Sequence, residues 1–233
     1  MAGWPTRLDG YKIALLADHH IRDEETISLT QRALSWALAE SPDIVVFAGD
    51  LIAYWKPGVE SMIRRALAPL QEYDGTALAV PGNHDYFGGE ASDLVPVLDE
   101  FGVRLLSNEC AIQGSVCWIC VDSVNADRAD VFKAVKQSDP SLPTILLWHE
   151  PDAVRFAPRG PALMLSGHSH GGQFVTPWGW APATAENGRE FIRGYYPDAP
   201  IPLYVSRGLG TTGPPARLFC PPEVTLLTLH GQA

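Results

Sequence analysis

The sequence predicts one α/β domain spanning residues 1–233, and three observations carry that expectation. The chain has 233 residues, 46% of them hydrophobic, which is enough to bury a full core. Short apolar runs alternate with helix-like periodicity through the first half. Each of those runs ends in polar groups at a regular interval: Asp18, Asp50 and Asn83 are 32 and 33 residues apart, the length of one β-α-β unit each time.

Lys12–Ala17 reads as a central strand ending in Asp18-His19-His20. Apolar residues at Ile27, Ala33, Leu34, Ala37 and Leu38 give Glu24–Glu40 a helical stripe, with acidic residues at its start and Ser41-Pro42 as its stop. Asp43–Ala48 is the second strand, ending in Gly49-Asp50; Gly58–Leu70 is the next helix, and Thr76–Val80 the third strand, followed by the turn Pro81-Gly82-Asn83-His84-Asp85. A helix at Glu90–Phe101 and strands near Ala111 and over Val116–Val121 come next. Thr144–Trp148 then delivers His149, and Ala162–Ser166 delivers His168 and His170. Gln173–Thr176, Leu203–Val205 and Val224–Leu229 read as further strands without helices between them, so the second half is richer in β structure.

The functional signal lies at the strand ends. Five of the seven histidines (His20, His84, His149, His168 and His170) follow an apolar run, and Gly167-His168-Ser169-His170-Gly171-Gly172 places two imidazoles in a glycine-loosened turn. In an open α/β sheet the carboxyl ends of the strands are where ligands collect, so these groups meet at one edge. Imidazole, carboxylate and amide oxygen together suit divalent cations. Asp18, Asp50 or Asn83 taken singly is an ordinary cap or turn residue; the conjunction is what points to metal.

Composition excludes other classes. A net charge of −10 speaks against nucleic acid as a partner, which needs a positive footprint. No apolar run reaches the ~18 residues of a membrane span, and Met1–Pro5 lacks the features of a signal peptide, so a cytoplasmic chain is expected. The four cysteines are too few for a disulfide scaffold, and Cys117-Trp118-Ile119-Cys120 reads as buried strand, its cysteines on opposite faces. His19 is expected to be exposed or to carry a satisfied hydrogen bond, and His230 to face solvent.

In order, the strand-end groups are Asp18-x-His20, Gly49-Asp50, Gly82-Asn83-His84-Asp85, His149 and Gly167-His168-x-His170. This series resembles the blocks of the calcineurin-like metallophosphoesterases. Trp148-His149-Glu150-Pro151-Asp152, the Gly-Gly-Gln after His170, Tyr204–Gly210 and Pro222-Glu223-Val224 are similar to the bacterial YkuE/YaeI branch of that family.

The resemblance implies a four-layer α/β/β/α sandwich with two divalent ions, of manganese, iron, zinc or nickel, at the sheet edge. It makes Asp50 the bridging ligand, with Asp18, His20 and His170 on one ion and Asn83, His149 and His168 on the other. Two aspartates against two divalent cations leave the pocket at +2, suited to a phosphate anion. A water held between the ions would be the nucleophile on a phosphoester, preferentially a diester, with His84 as general acid and Asp85 orienting its ring. A soluble relative acting on a lipid-linked pyrophosphate such as UDP-diacylglucosamine, in peripheral contact with a membrane, and a scaffold that keeps the fold without turnover, are the alternatives.

One position departs from the pattern: Ala53 stands where the family's second block usually carries an aspartate, which leaves the pocket wall less polar. Tyr54-Trp55, Tyr86-Phe87 and Trp178-x-Trp180 follow the blocks, either as an apolar wall for a lipid, nucleoside or aryl part of a substrate or as packing for loops. Arg207 is a candidate phosphate contact, with a structural ion pair as the commoner fate of such an arginine.

Overall fold

A computed structural model describes residues 4–231; Met1–Gly3, part of the start read as lacking a leader, lie outside them. The strands in chain order are β1 (Tyr11–Leu16), β2 (Ile44–Ala48), β3 (Thr76–Val80), β4 (Val103–Leu105), β5 (Glu109–Gln113), β6 (Val116–Val121), β7 (Thr144–Trp148), β8 (Leu163–Ser166), β9 (Gly194–Tyr196), β10 (Leu203–Val205) and β11 (Thr225–Leu229). The helices are α1 (Glu24–Ala39), α2 (Val59–Ala66), α3 (Val95–Asp99) and α4 (Val131–Val135), joined by short 3-10 turns.

Two mixed sheets form. One has the order β11-β1-β2-β3-β4, parallel except for β11; the other runs β5-β6-β7-β8-β10-β9, parallel within β6-β7-β8-β10 and antiparallel at both edges. Strand periodicity sorts the side chains into layers. Ile44, Val46 and Ala48 of β2 face the second sheet, where they join Trp118, Cys120, Ile145, Leu147 and Leu165 in a core between the sheets. The alternate residues Val45 and Phe47 pack beneath Ile27, Leu34, Ile63 and Leu98 of the helices. On the far side Ile119, Leu146 and Met164 are covered by Val131 and Ala134 of α4 and by Val154. The result is the α/β/β/α sandwich.

Local chemistry sets the element ends. Asp23 caps α1 by accepting from the Thr26 amide at 2.9 Å while the Thr26 hydroxyl accepts from the Asp23 amide at 3.1 Å. The expected helix Gly58–Leu70 is shorter: α2 stops at Ala66, and a 3-10 turn over Ala68–Glu72 takes up Pro69. Glu90–Phe101 likewise divides into a 3-10 turn at Ala91–Leu94 and α3, with Pro96 in the first turn of α3. Gln173–Thr176 is not a strand; Phe174 makes one isolated bridge to Leu218. Short β4, β9 and α4 were not anticipated, being too brief to show a period.

Cys117 and Cys120 do point to opposite faces of β6, in the outer and inner cores. Cys117 meets Cys110 across the β5-β6 hairpin as a disulfide, a pairing the cysteine spacing did not suggest. Among the described residues no helix is long and apolar enough to cross a membrane.

Leu147 is fully buried between the sheets, and truncating it leaves a cavity that both must accommodate. Leu147→Ala is expected to cost about 2–5 kcal/mol, read as a lower urea midpoint at unchanged slope.

Candidate metal centre

The site occupies the seam between the two sheets. Asp18 and His20 follow β1, Asp50 follows β2, and Asn83 and His84 follow β3; His149 comes from β7, and His168 and His170 from β8. Sequence-distant groups converge there: Asp18, His20, Asp50 and His170 present ligand atoms within 4.8 Å of one another, and so do Asp50, His149 and His168. Asp50 belongs to both groups. Its Oδ2 lies 3.5 Å from His20 Nε2 and 3.3 Å from His149 Nε2, while Oδ1 accepts from the His84 amide at 2.7 Å.

The turns that deliver these groups adopt a conformation that non-glycine residues rarely take. Asp18, His20, Asp50, His168 and His170 all have positive φ, between 46° and 69°. Glycines allow the close approach. A Cβ at Gly82 would collide with the Asp50 carboxylate, and one at Gly167 would stand 2.6 Å from Ala17 Cβ and 2.8 Å from Asp18 Oδ2.

Hydrogen bonds from outside fix the rings. His149 Nδ1 donates to the Ala48 carbonyl at 2.6 Å and His168 Nε2 to the Glu186 carbonyl at 2.6 Å, which turns His149 Nε2 and His168 Nδ1 toward each other at 3.2 Å. The Nε2 atoms of His20 and His170 are 3.0 Å apart. The His168 amide donates to both oxygens of Asp18, at 2.9 and 3.0 Å.

The protein groups perturb one another strongly: burial acts to lower His149, but the Asp50 carboxylate beside it outweighs that effect and holds the ring well above the ordinary imidazole value. Burial, and then the neighbouring Asp50 carboxylate, push the Asp18 pKa up to about 7. Burial acts to raise Asp50 too, but His149 and His20 outweigh it and hold Asp50 well below the usual carboxylate range. Burial drops His20 to about 3 and keeps His170 well below the ordinary imidazole value. His20 and His170 are therefore neutral near pH 7, the form whose lone pair can bind a metal. Asn83 Oδ1 is buried with no hydrogen-bond partner, an orphaned acceptor at the same strand end. Together the donors fit a pair of divalent cations.

Comparison with known proteins places this arrangement. The profile of the calcineurin-like phosphoesterases matches residues 11–172. The chain belongs to that family. It is 30% identical to the uncharacterized metallophosphoesterase YkuE of Bacillus subtilis, over 97% of this chain and 81% of YkuE. It is also 30% identical to the phosphodiesterase YaeI of Escherichia coli, over 94% of this chain and 82% of YaeI. A dimetal phosphatase from Danio rerio has a similar fold, with a TM-score of 0.53 at 11% identity, covering 86% of this chain and 88% of that one.

Within this family member, one site expectation is corrected. Asp85 does not orient the His84 ring: its buried carboxylate accepts from the amides of Ile52 at 3.1 Å and Gly82 at 2.9 Å, tying the β2 and β3 loops together. His84 Nδ1 donates instead to the Ala53 carbonyl at 2.8 Å, so the main chain at the departing position takes up the ring. Arg207 takes the ion-pair alternative, held by Glu223, which also accepts from the Tyr204 hydroxyl at 3.0 Å. His19 takes the hydrogen-bonded outcome, buried with Nδ1 3.2 Å from Thr30 Oγ1; His230 is exposed beside Asp9.

Three supporting residues went unread in the sequence. Arg217 spans the turn after His170, donating to the carbonyls of His170 at 3.1 Å and Gly210 at 2.6 Å; its irregular, proline-rich surroundings carry no pattern. Glu150 is wholly buried and accepts from the Val124 and Asn125 amides at 3.1 and 3.2 Å, which brings Asn125 to His168. Asp122 accepts from the Tyr86 hydroxyl at 2.8 Å and from Ser107, pinning the Asn83–Tyr86 turn to the second sheet. Asp122 and Glu150 had a signal, since each is an acid at or near the end of a buried strand.

Because Asp50 is shared by both groups, Asp50→Ala is expected to lose both ions, whereas Asn83→Ala loses about one per chain. Elemental analysis of the purified variants checks the stoichiometry. Tyr86→Phe, which removes the hydrogen bond pinning the Asn83–Tyr86 turn to Asp122, is expected to keep both ions and to lower turnover.

Proposed function

We propose that this chain hydrolyses phosphoesters at a dinuclear divalent centre and prefers diesters. Asp50 is the shared ligand, Asp18, His20 and His170 complete one site, and Asn83, His149 and His168 the other. The observation that carries the reading is the pair of buried ligand groups meeting at one carboxylate, with a half-buried histidine beside them. The preference for diesters leans on the likeness to YaeI, named a phosphodiesterase.

Bound there, divalent ions would supply charge neutralisation of the phosphoryl oxygens and activation of water. The protein supplies position and proton transfer. His84 stands edge-on to His20, ring centroids 4.6 Å apart, at the wall of a cleft of about 320 Å³ that opens from the centre. With Nδ1–H engaged by the Ala53 carbonyl, Nε2 is the atom left to pass a proton to a departing ester oxygen. The identity of the metal among manganese, iron, zinc and nickel follows from loading, since the donor set suits all four.

Bis(p-nitrophenyl) phosphate is expected to be hydrolysed after manganese addition, with loss of activity in chelator. His84→Ala should retain both ions while losing roughly 10²–10⁴-fold in turnover, measured by initial rates beside elemental analysis. Full activity in that variant removes His84 from the proton-transfer role, and absence of turnover with every metal favours a non-catalytic scaffold.

A further inference from the structure

Beside the metal centre lies a cleft, part of whose lining the hydrolytic step leaves unused. His20 and His84 are part of its lining, so the cleft adjoins the centre and is open to an organic substituent of a substrate whose phosphorus lies there. Tyr54 and Phe87 are exposed hydrophobic side chains, the first in its lining and the second against His84. Tyr54 lines the cleft at 46% exposure, and Phe87, 50% exposed, packs against the His84 ring with centroids 4.3 Å apart. The segments that carry them are joined by a hydrogen bond of 2.8 Å from the Trp55 amide to the Phe87 carbonyl, so the two rings come from tied stretches of backbone.

Their neighbours show that exposure here is not simply loose packing. The adjacent aromatics are used structurally: Trp55 Nε1 donates to the Asp85 carbonyl at 2.8 Å, and Tyr86 donates to Asp122. Tyr54 and Phe87, each next in sequence to one of these anchored rings, are left facing outward. Ala53, also in the lining, adds no bulk and no charge to the wall. Lys56 Nζ lies 5.5 Å from the Tyr54 centroid. Arg22 also lines the cleft, held by the Thr211 carbonyl at 2.6 Å and paired with Asp23 of the same lining at 3.5 Å. An aromatic surface with a cation at its edge suits a planar ring attached to an anion.

We propose that Tyr54 and Phe87 form a subsite for a planar aromatic substituent of the phosphoester, an aryl or a nucleobase group, and so set substrate class. The assignment rests on the phosphoesterase reading of the adjoining centre for the position of phosphorus. Stacking on the two rings adds affinity for the substituent without touching the ligands of the metals.

The test uses three non-hydrolysable ligands on the manganese-loaded protein: methylphosphonate, phenylphosphonate and a nucleoside phosphonate, with binding followed by calorimetry so that the readout does not depend on turnover. Phenylphosphonate or the nucleoside phosphonate is expected to bind about tenfold more tightly than methylphosphonate, and which of them gains more identifies the aryl or the nucleoside source. In the Tyr54→Ala/Phe87→Ala double variant that gain is expected to vanish while methylphosphonate affinity and metal content stay unchanged. Both side chains are half exposed, so thermal melting should show the variant folded; single variants serve if it is not. Equal binding of all three ligands, or an aromatic gain that survives in the variants, overturns the subsite. Hydrolysis of bis(p-nitrophenyl) phosphate is scored separately: its absence counts against the catalytic reading, whereas loss of the aromatic gain alone counts against the subsite.

Discussion

The constraint on which this structure depends is the burial of two carboxylates against a ring of imidazoles at the seam of two sheets. Asp18 and Asp50 are fully or almost fully buried, and the residues around them cannot all hold their ordinary charge at once. Unpaired buried charge is costly, and in such a place the groups shift their protonation or take a cation. The fold does not relieve this locally. It holds Asp18, His20, Asp50, His168 and His170 in left-handed backbone, at a cost of about 1–3 kcal/mol each. Such strain persists only where the surroundings over-determine it, and here both sheets do.

The two sheets are joined through the site as well as through the apolar core between them. His149 of the second sheet donates to Ala48 of the first, and the His168 amide reaches back to Asp18. Behind these contacts stands a layer of buried and half-buried polar groups with hydrogen-bond partners. Asp122 takes Tyr86 and Ser107, Glu150 takes the 124–125 amides, and Arg217 gathers the carbonyls of the loop beyond His170. Polar networks of this kind fix a single arrangement because any half-satisfied alternative leaves a buried donor or acceptor unpaired. An acidic chain thereby frames a centre whose donors call for positive charge.

The site was legible as a set: a polar residue after one buried apolar run is an ordinary cap or turn, but the same pattern after several runs points to one sheet edge. That logic found Asp18, Asp50, Asn83, His149, His168 and His170, and it applies equally to Asp122. It failed where a side chain has several partners within reach. Asp85 sits two residues from Asn83 and one from His84, yet spends both oxygens on backbone amides, since a buried carboxylate in a tight turn meets amides before it meets a ring. Arg207 met Glu223 for a related reason: the nearest carboxylate claims a flexible cation. Gln173–Thr176 has the composition of a strand but no sheet edge to join, and makes only one bridge.

The sequence by itself determined the alternation of strands and helices, the layered α/β class and the set of metal-binding residue types, because periodicity and strand-end polarity are local properties carried by neighbouring residues. Tertiary structure decided which atoms face one another. The shared position of Asp50, the carbonyls that set each imidazole's direction, the role of Ala53's main chain and the open rings of Tyr54 and Phe87 all depend on contacts between segments far apart in the chain. Such contacts arise only when both sheets close on the same seam, and no local pattern encodes them.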